Sequence, residues 1–384
     1  MRLTKLFNDF FESEKGGVLL IACTIVSLLL ANSSVSEAYL NFWHFHFGGL
    51  STENWINEGL MAVFFFLIGL ELKREIFVGE LSNLKNAMLP VFAAVGGMII
   101  PAAIFAFFNY GTPTQSGAGI PMATDIAFAI GILSLLGNRV PASLKILLTA
   151  IAVIDDLGAI LVIAVFYTTS LSMLNLLLVL AVFTALLLLN KFKINYLILY
   201  IIGGIIMWFF MLHSGVHSTL AGILLAFAIP FGKGEKTSLS YKLQDWLHRP
   251  VALIILPLFA LANTAIVFGK GWDTGLAEGG SLGIFAGLIV GKPLGVFLFS
   301  FLAVSTGVCA LPLGLKWKHI LGIGFLAGIG FTMSIFITLL AYEDATLITE
   351  SKISILLASV VSGIFGYSLL KYVLKRPKPV LVNN

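Results

Sequence analysis

Four ionisable side chains lie in the middle of long apolar runs of the sequence: Asp125, Asp155, Asp156 and Lys292. A charged group in an apolar surrounding is costly unless it is paired, and in a membrane segment such groups usually mark the route of an ion or a proton. Carboxylate oxygens bind a proton or a hard cation, and an ammonium group stabilises a neighbouring carboxylate. These four residues are therefore the first candidates for chemistry.

Two of these carboxylates, Asp155 and Asp156, are adjacent in the run LLTAIAVIDDLGAILVIAVFY. Neighbouring helical residues point about 100° apart, so one carboxylate can face a water-filled cavity while the other faces a neighbouring helix. Apolar residues flank both, which makes a purely structural cap difficult to defend. Burial and the adjacent like charge both favour the protonated acid, so each could hold a proton near neutral pH. A proton-coupled carrier requires this property.

The third carboxylate, Asp125, lies in PMATDIAFAIG, after a segment rich in glycine and proline. Pro121 and the pair Thr124-Asp125 predict that this span is not a continuous helix. Freed backbone groups at mid-membrane are tolerated only where they are buried or face water, and there they can coordinate an ion. The alternative is an aspartate that caps a broken helix, a role that is compatible with ion binding.

The buried cation, Lys292, lies in IFAGLIVGKPLGVFLF and is followed by Pro293, which bends a helix and frees a carbonyl group. A lone ammonium group there must pair with a carboxylate or lose its proton. The natural partner is one of the three aspartates. Two interpretations stay open: a structural ion pair, or a lysine that itself carries a proton.

The composition places these residues in a membrane protein. Hydrophobic residues make up 59% of the 384 residues, charged residues 11%, and the mean hydropathy is +1.01, whereas soluble domains carry about 25% charged residues. Two cysteines, Cys23 and Cys309, exclude a disulfide framework and a CxxC metal motif. Since a span needs about 20 apolar residues, we predict an all-α fold of about twelve transmembrane helices. They are 16–32, 56–77, 87–108, 120–137, 143–168, 172–190, 195–213, 216–231, 250–268, 281–305, 318–341 and 351–372.

The basic residues support this count and indicate the orientation. With the N-terminus inside and the sides alternating, 20 of the 23 Lys and Arg residues fall on the inner side, Lys270 and Lys352 fall outside, and Lys292 lies within a span. Cytoplasmic loops collect Lys and Arg in this way. We therefore expect both termini in the cytoplasm, with an N-terminal interfacial helix over about 3–14.

A second interrupted span is predicted in HILGIGFLAGIGFTMSIFI, where four glycines crowd one stretch. Close packing by small residues is the alternative interpretation. The two interrupted spans are the fourth and the eleventh, which suits two three-helix units, about 87–168 and 281–372. Discontinuous helices in corresponding positions of two halves indicate a midplane site in an inverted-repeat transporter.

Three other segments carry expectations. Residues 33–55 predict two short strands that turn at Gly48-Gly49, either as an ordered surface loop or as a dimer contact. Residues 233–249 are predicted to be a long, basic connection. The second span ends in GLELKRE, where surface ion pairs are expected to include Lys73.

The ordered set of motifs resembles the NhaA-type sodium/proton antiporters of bacterial inner membranes, and it covers nearly the whole chain. The family is also one of the inverted-repeat transporters. The motifs are AVFFFLIGLELKREI, PMATDIAFAIGILSLLGNRVP, AVIDDLGA, HSGVHSTLAG, LPLFALANTAI, GKPLGV and GIGFTMSIF.

This resemblance implies a role for each buried charge. Asp156 would be the principal carboxylate that binds sodium and protons, and Asp155 would pair with Lys292 and share in proton coupling. Thr124 and Asp125 would lie at the crossing of two broken helices, balance their dipoles and contribute to cation binding. The implied sodium ligands are Asp156, Asp155 and Thr124.

A set of residues for pH regulation is also implied by the resemblance. Glu71, Arg74 and His248 match a cytoplasmic pH-responsive cluster, and Gly330 matches a glycine of the second broken helix that affects the pH response. His217 is either a satisfied structural histidine or a proton sensor. In KLQDWLHRP the chain departs from the family's best-known form, because Gln244 replaces a glutamate and Asp245 a histidine. The threshold of regulation could therefore differ.

The expected activity is electrogenic exchange of cytoplasmic Na⁺ or Li⁺ for external H⁺, without a cofactor, an organic substrate or nucleic acid. The resemblance implies a homodimer in the inner membrane. An intramembrane aspartyl protease would need a GxGD-type element, which the sequence lacks. The alternative that stays open is a sodium-coupled carrier of an organic anion with the same architecture.

Overall fold

The protein is described by a computed structural model that covers residues 13–167, 171–232, 234–269 and 273–374. Almost all of the predicted interfacial helix at about 3–14 lies outside these residues. In the described part, helices are joined by short connections, and a two-stranded hairpin is the one sheet. The fold is all-helical apart from this hairpin, as the apolar sequence predicts.

The first half of the chain contains the following elements: α1 (Ser13–Ala31), α2 (Ser36–His44), β1 (His46–Phe47), β2 (Leu50–Ser51), α3 (Thr52–Val78), α4 (Leu84–Asn109), a 3₁₀ segment (Pro113–Met122), α5 (Ile126–Ser134), α6 (Ala142–Phe166) and α7 (Met173–Lys191). The second half contains α8 (Leu197–Leu212), α9 (Leu220–Ala228), α10 (Leu239–Asn263), α11 (Gly279–Ser305), α12 (Trp317–Ala327), α13 (Phe331–Ala341) and α14 (Ala345–Val373). Short π-helical turns lie within α3, α10 and α11.

The helices are long and apolar enough for a polytopic membrane protein. Within the described residues, seven helices could each cross a bilayer, and up to ten could do so if each bent pair counts as one span. Each of the twelve predicted spans contains a helix, but α8 has 16 residues and α9 only nine. The count of twelve therefore stays a prediction.

Two predictions about the connections have different outcomes. The hairpin is confirmed, because β1 and β2 pair antiparallel and Gly48 and Gly49 have φ values of 60° and 88°. The prediction of a long connection over 233–249 was wrong from residue 239 onward, since α10 begins at Leu239 and continues through Pro250. The Ser238 hydroxyl caps this helix by accepting from the Tyr241 N–H at 3.3 Å.

Glycines allow two pairs of helices to approach backbone to backbone. A Cβ atom on Gly295 of α11 would lie 2.1 Å from the Gly96 carbonyl oxygen of α4. A Cβ atom on Gly222 of α9 would lie 2.1 Å from the Ala62 carbonyl oxygen of α3, and one on Gly69 would meet Ala226 at 2.7 Å. Small residues at such crossings are the usual means of close helix packing in a membrane.

The α3–α9 contact leads to a stability prediction. We expect Gly222→Ala to lower the melting temperature by several degrees, because the added methyl group must push α9 away from a backbone carbonyl, at a cost of about 1–3 kcal/mol. Gly131→Ala is the matched control, since its Cβ would have only ordinary contacts at 3.6 Å. Equal melting temperatures for the two variants in detergent would contradict the close approach.

Candidate functional site

Two interrupted helices cross inside the protein. The 3₁₀ segment Pro113–Met122 and α5 are bent by 42° at their break, and α12 and α13 are bent by 49°. The Asp125 N–H donates to the Ile329 carbonyl oxygen at 2.7 Å, so the two breaks are in direct contact. Glycine is needed at the second break, because a Cβ on Gly328 would lie 2.3 Å from the Leu288 carbonyl oxygen. Both predicted interruptions are confirmed.

A single buried carboxylate, Asp125, caps the helices that start after both breaks. One oxygen accepts from the Phe128 N–H of α5 at 2.9 Å. The other accepts from the Thr332 N–H of α13 at 3.1 Å and from the Thr332 hydroxyl. Helix N-termini carry partial positive charge, so the carboxylate compensates two such ends at once. The capping interpretation is confirmed, and ion binding by Asp125 stays a prediction.

Next to this crossing lies the ion pair that the sequence resemblance implies. The Lys292 ammonium donates to Asp155 Oδ2 at 2.7 Å, and neither side chain is exposed. Thr124 donates to the same oxygen at 2.7 Å and approaches the Ala327 carbonyl oxygen at 2.8 Å. Lys292 also donates to the Met122 carbonyl oxygen. The pair therefore ties α6 and α11 to the ends of both broken helices.

The neighbouring carboxylate, Asp156, has different surroundings. It is 1% exposed, and among the described residues neither of its oxygens accepts a hydrogen bond. Asp155 Oδ1 is likewise without a donor in this part of the chain. Asp156 lies within electrostatic reach of Asp155, Asp125, Glu71 and Lys292. A buried carboxylate without donors is costly, and binding of a proton or a cation relieves that cost.

The donor set suits a hard cation held by few carboxylates. Within the described residues no group of three or more His, Cys, Asp and Glu side chains could hold a metal ion. Carboxylate, hydroxyl and carbonyl oxygens are the ligands that hard cations prefer. That Asp156, Asp155 and Thr124 bind one sodium ion together stays a prediction.

Comparison with known proteins identifies the family. Residues 8–370 match the family Na+/H+ antiporter 1. The chain belongs to this family. Its members include the Na(+)/H(+) antiporter NhaA of Flavobacterium psychrophilum, which is 63% identical over 98% of both chains, and that of Vibrio cholerae, which is 46% identical over 96% of this chain and 98% of its own.

A solved structure supports the fold of this antiporter family member. The sodium proton antiporter MjNhaP1 from Methanocaldococcus jannaschii, solved at pH 8, superposes with a TM-score of 0.52. It covers 96% of this chain and 100% of its own length at 17% sequence identity. The antiporter fold is therefore shared even where little of the sequence is.

The residues expected to regulate the antiporter are in three places. His248 Nδ1 lies 3.6 Å from Glu71 Oε1, and the Arg74 guanidinium lies 5.6 Å from the centre of the Tyr241 ring. These groups lie where the last turns of α3 meet the first half of α10. His217 is elsewhere, with Nε2 3.2 Å from the Tyr167 carbonyl oxygen.

His217 lies near the other end of α3. It is half-buried and within electrostatic reach of Glu58, which comes early in α3. Gly330 lies at the break before α13, where a Cβ would be 2.0 Å from the Ser334 hydroxyl oxygen. Gln244 is half-buried and Asp245 is exposed. The regulatory roles of all these residues stay predictions.

The roles of two buried residues, one in the site and one at the end of α9, were missed from the sequence. Thr332 holds Asp125 through its hydroxyl and its N–H, and its position two residues after Gly330 was the available signal. Lys73 was expected in a surface ion pair, but this was wrong: it is 5% exposed, and its ammonium donates to carbonyl groups of the α9 end.

The Lys292–Asp155 pair leads to a second prediction. We expect Lys292→Met to lower the melting temperature at neutral pH, because removal of one partner of a buried ion pair costs about 3–5 kcal/mol. The double variant with Asp155→Asn should recover part of the loss, because no uncompensated charge remains. An unchanged melting profile of the single variant in detergent would contradict a stabilising pair.

The Asp125–Thr332 contact leads to a third prediction. We expect Thr332→Val to lower the free energy of unfolding by about 1.5–3 kcal/mol, the usual contribution of a hydrogen bond to a charged group. Thr338→Val is a matched control in the same helix, because its buried hydroxyl donates only to the Ser334 carbonyl oxygen one turn earlier. Equal thermal stability of the two variants would contradict the cap.

Proposed function

We propose that this protein exchanges sodium ions for protons at Asp156. The observation that carries the proposal is the buried carboxylate of Asp156, whose oxygens accept no hydrogen bond within the described part of the chain. It lies beside the Lys292–Asp155 pair at the crossing of two broken helices. Membership in the Na+/H+ antiporter 1 family and the names of its relatives support the same reaction. The protein is a transporter, not an enzyme.

The proposed mechanism is competition for one site. A deprotonated Asp156 binds Na⁺ through its oxygens, with Asp155 and Thr124 as further ligands, and a protonated Asp156 does not. Sodium and protons therefore exclude each other, and alternating exposure of the site to the two sides exchanges them. A sodium ion on Asp155 competes with Lys292 for that carboxylate, which makes the lysine a candidate second proton carrier. Asp125 balances the two helix ends and supports cation binding.

The proposed architecture has twelve transmembrane helices and two inverted three-helix units, about 87–168 and 281–372. The positions of the two broken helices support this arrangement. The distribution of Lys and Arg supports cytoplasmic termini in a bacterial inner membrane. We place the Val78 end of α3 on the cytoplasmic side, and we propose that the hairpin His46–Ser51 lies on the external side and contributes to a homodimer.

The direction of transport follows from the electrical work. If more protons than sodium ions move per cycle, the membrane potential contributes about 2.3 kcal/mol per net charge per 100 mV. Protons then enter and Na⁺ or Li⁺ leaves, which regulates internal sodium and pH. Glu71, Arg74 and His248 at the cytoplasmic end, together with His217 and Gly330, are proposed to adjust the activity to pH.

The assignment of Asp156 leads to a fourth prediction. We expect Asp156→Asn to abolish sodium-dependent proton movement, because the amide neither releases a proton nor offers a charged oxygen to sodium. The measurement is fluorescence dequenching in everted membrane vesicles on addition of Na⁺, Li⁺ or K⁺ across pH, without any organic anion. Asp245→Asn is the control, since this carboxylate is exposed on α10. Near-normal exchange by the Asp156 variant, inserted at the wild-type level, would defeat the assignment.

A further inference from the structure

The short helix α9 has an unusual C-terminal end. The last four carbonyl groups of a helix lack partners within it, and here they belong to Ala226, Phe227, Ala228 and Ile229. Pro230 follows directly and has no N–H to offer. In a membrane, each of these carbonyl groups must be satisfied by another part of the protein.

Side chains from two other helices satisfy all four groups. The Lys73 ammonium of α3 donates to the carbonyl oxygens of Ile229 at 2.6 Å, Phe227 at 2.8 Å and Ala226 at 3.3 Å. The Asn190 amide of α7 donates to Ala228 at 2.8 Å. An ammonium group has three donors, and all three are used here. A cation also stabilises the negative end of the helix.

A charged residue of α3 also lies at the other end of α9. Ser218, just before the N-cap of α9, donates to the Glu58 carboxylate at 2.6 Å. Glu58 and Lys73 thus place an anion at the positive end and a cation at the negative end of α9. Between these ends, the close approach of Gly222 to Ala62 joins the two backbones. The two helices are therefore joined at both ends of α9 and between them.

This attachment fixes the orientation of the last turns of α3 about the helix axis. Successive helical residues are 100° apart, so Glu71 points about 200° away from Lys73 around the helix. With Lys73 held against α9, Glu71 lies on the side that meets His248 at 3.6 Å and is within electrostatic reach of Asp156. A shift of Lys73 would move Glu71 with it, because the two share one helical turn.

The geometry points to Lys73 as a positioning residue for the sodium path: by capping α9 it fixes α3 so that Glu71 meets His248 on the side of α3 away from α9. Glu71 is a carboxylate that attracts a cation toward the buried site. Loss of its position weakens capture of sodium and leaves the exchange step at Asp156 intact. This inference rests on the proposed exchange of sodium for protons.

The experiment compares sodium kinetics in everted vesicles for the wild type and for Lys73→Met, Lys73→Arg and Asn190→Ala. We expect Lys73→Met to raise the KM for Na⁺ about five-fold or more, the scale of coupling between contacting residues, with little change in maximal rate. Lys73→Arg, which keeps the cation, should be intermediate. Asn190→Ala removes one cap bond without touching α3 and should leave the KM unchanged.

A double-variant cycle tests whether Lys73 acts through Glu71. In a Glu71→Gln background, Lys73→Met and Lys73→Arg are expected to raise the KM little further, because the group they position is already neutral. If Lys73→Met does not fold, the same comparison of KM values in the two backgrounds is made with Lys73→Arg. Equal KM increases in both backgrounds, or a lower melting temperature with an unchanged KM, would overturn the role and leave Lys73 as a structural cap.

Hydrogen exchange separates this inference from the proposed function. In detergent, Lys73→Met is expected to lose amide protection over residues 220–229 and in the last turns of α3, whereas Asn190→Ala loses it in α9 alone. Unchanged protection of α3 would overturn the positioning role whatever the transport data show. Wild-type vesicles without sodium-driven proton movement would instead overturn the proposed exchange reaction.

Discussion

The structure depends on how two helix breaks are satisfied inside a membrane. A break leaves N–H and C=O groups without partners, and a bilayer offers none. Here the Asp125 carboxylate accepts from both helix starts, the Asp125 N–H donates to Ile329, and Lys292 donates to Met122 at the end of the 3₁₀ segment. Two of the four buried charged side chains, Asp125 and Lys292, thus make the breaks tolerable. The cost of burying these two charges is offset by the hydrogen bonds that they make to backbone groups.

Within this arrangement, two adjacent carboxylates differ in their hydrogen-bond partners. Asp155 Oδ2 accepts from Lys292 and Thr124, and these contacts offset part of the cost of burying its charge. Asp156 has no such donor in the described structure, and it is within range of electrostatic repulsion by Asp155, Asp125 and Glu71. With the three aspartates ionised, one ammonium group and two helix ends leave the site short of positive charge. The proposed binding of a proton or a sodium ion at Asp156 corrects this shortage.

Residue types and local pattern were enough to predict the apolar helices, the hairpin at Gly48-Gly49, both breaks and the four buried charges. The Lys292–Asp155 partnership came from family resemblance, because spacing alone left three aspartates open. Contacts between distant segments were missed. Lys73 meets carbonyl groups more than 150 residues away, and its charged neighbours in GLELKRE suggested solvent. Residues 233–249 were predicted to be a connection because they carry four basic residues, yet a Ser238 cap and buried Leu243 and Leu247 support a helix from Leu239.

The contacts that α3 makes with α9 differ in kind from those that it makes toward the site. Toward α9 the contact is between backbones at glycines and is held by charged caps at both ends. Toward the site the contacts are between side chains, such as the rings of Phe65 and Phe336 of α13, whose centres are 5.3 Å apart. Sliding α9 along α3 would remove the Lys73 donor from three buried carbonyl groups, whereas side-chain contacts can form again in other staggered rotamers. Movement near the proposed site is therefore expected at the side-chain contacts of α3, and its backbone contact with α9 is expected to persist.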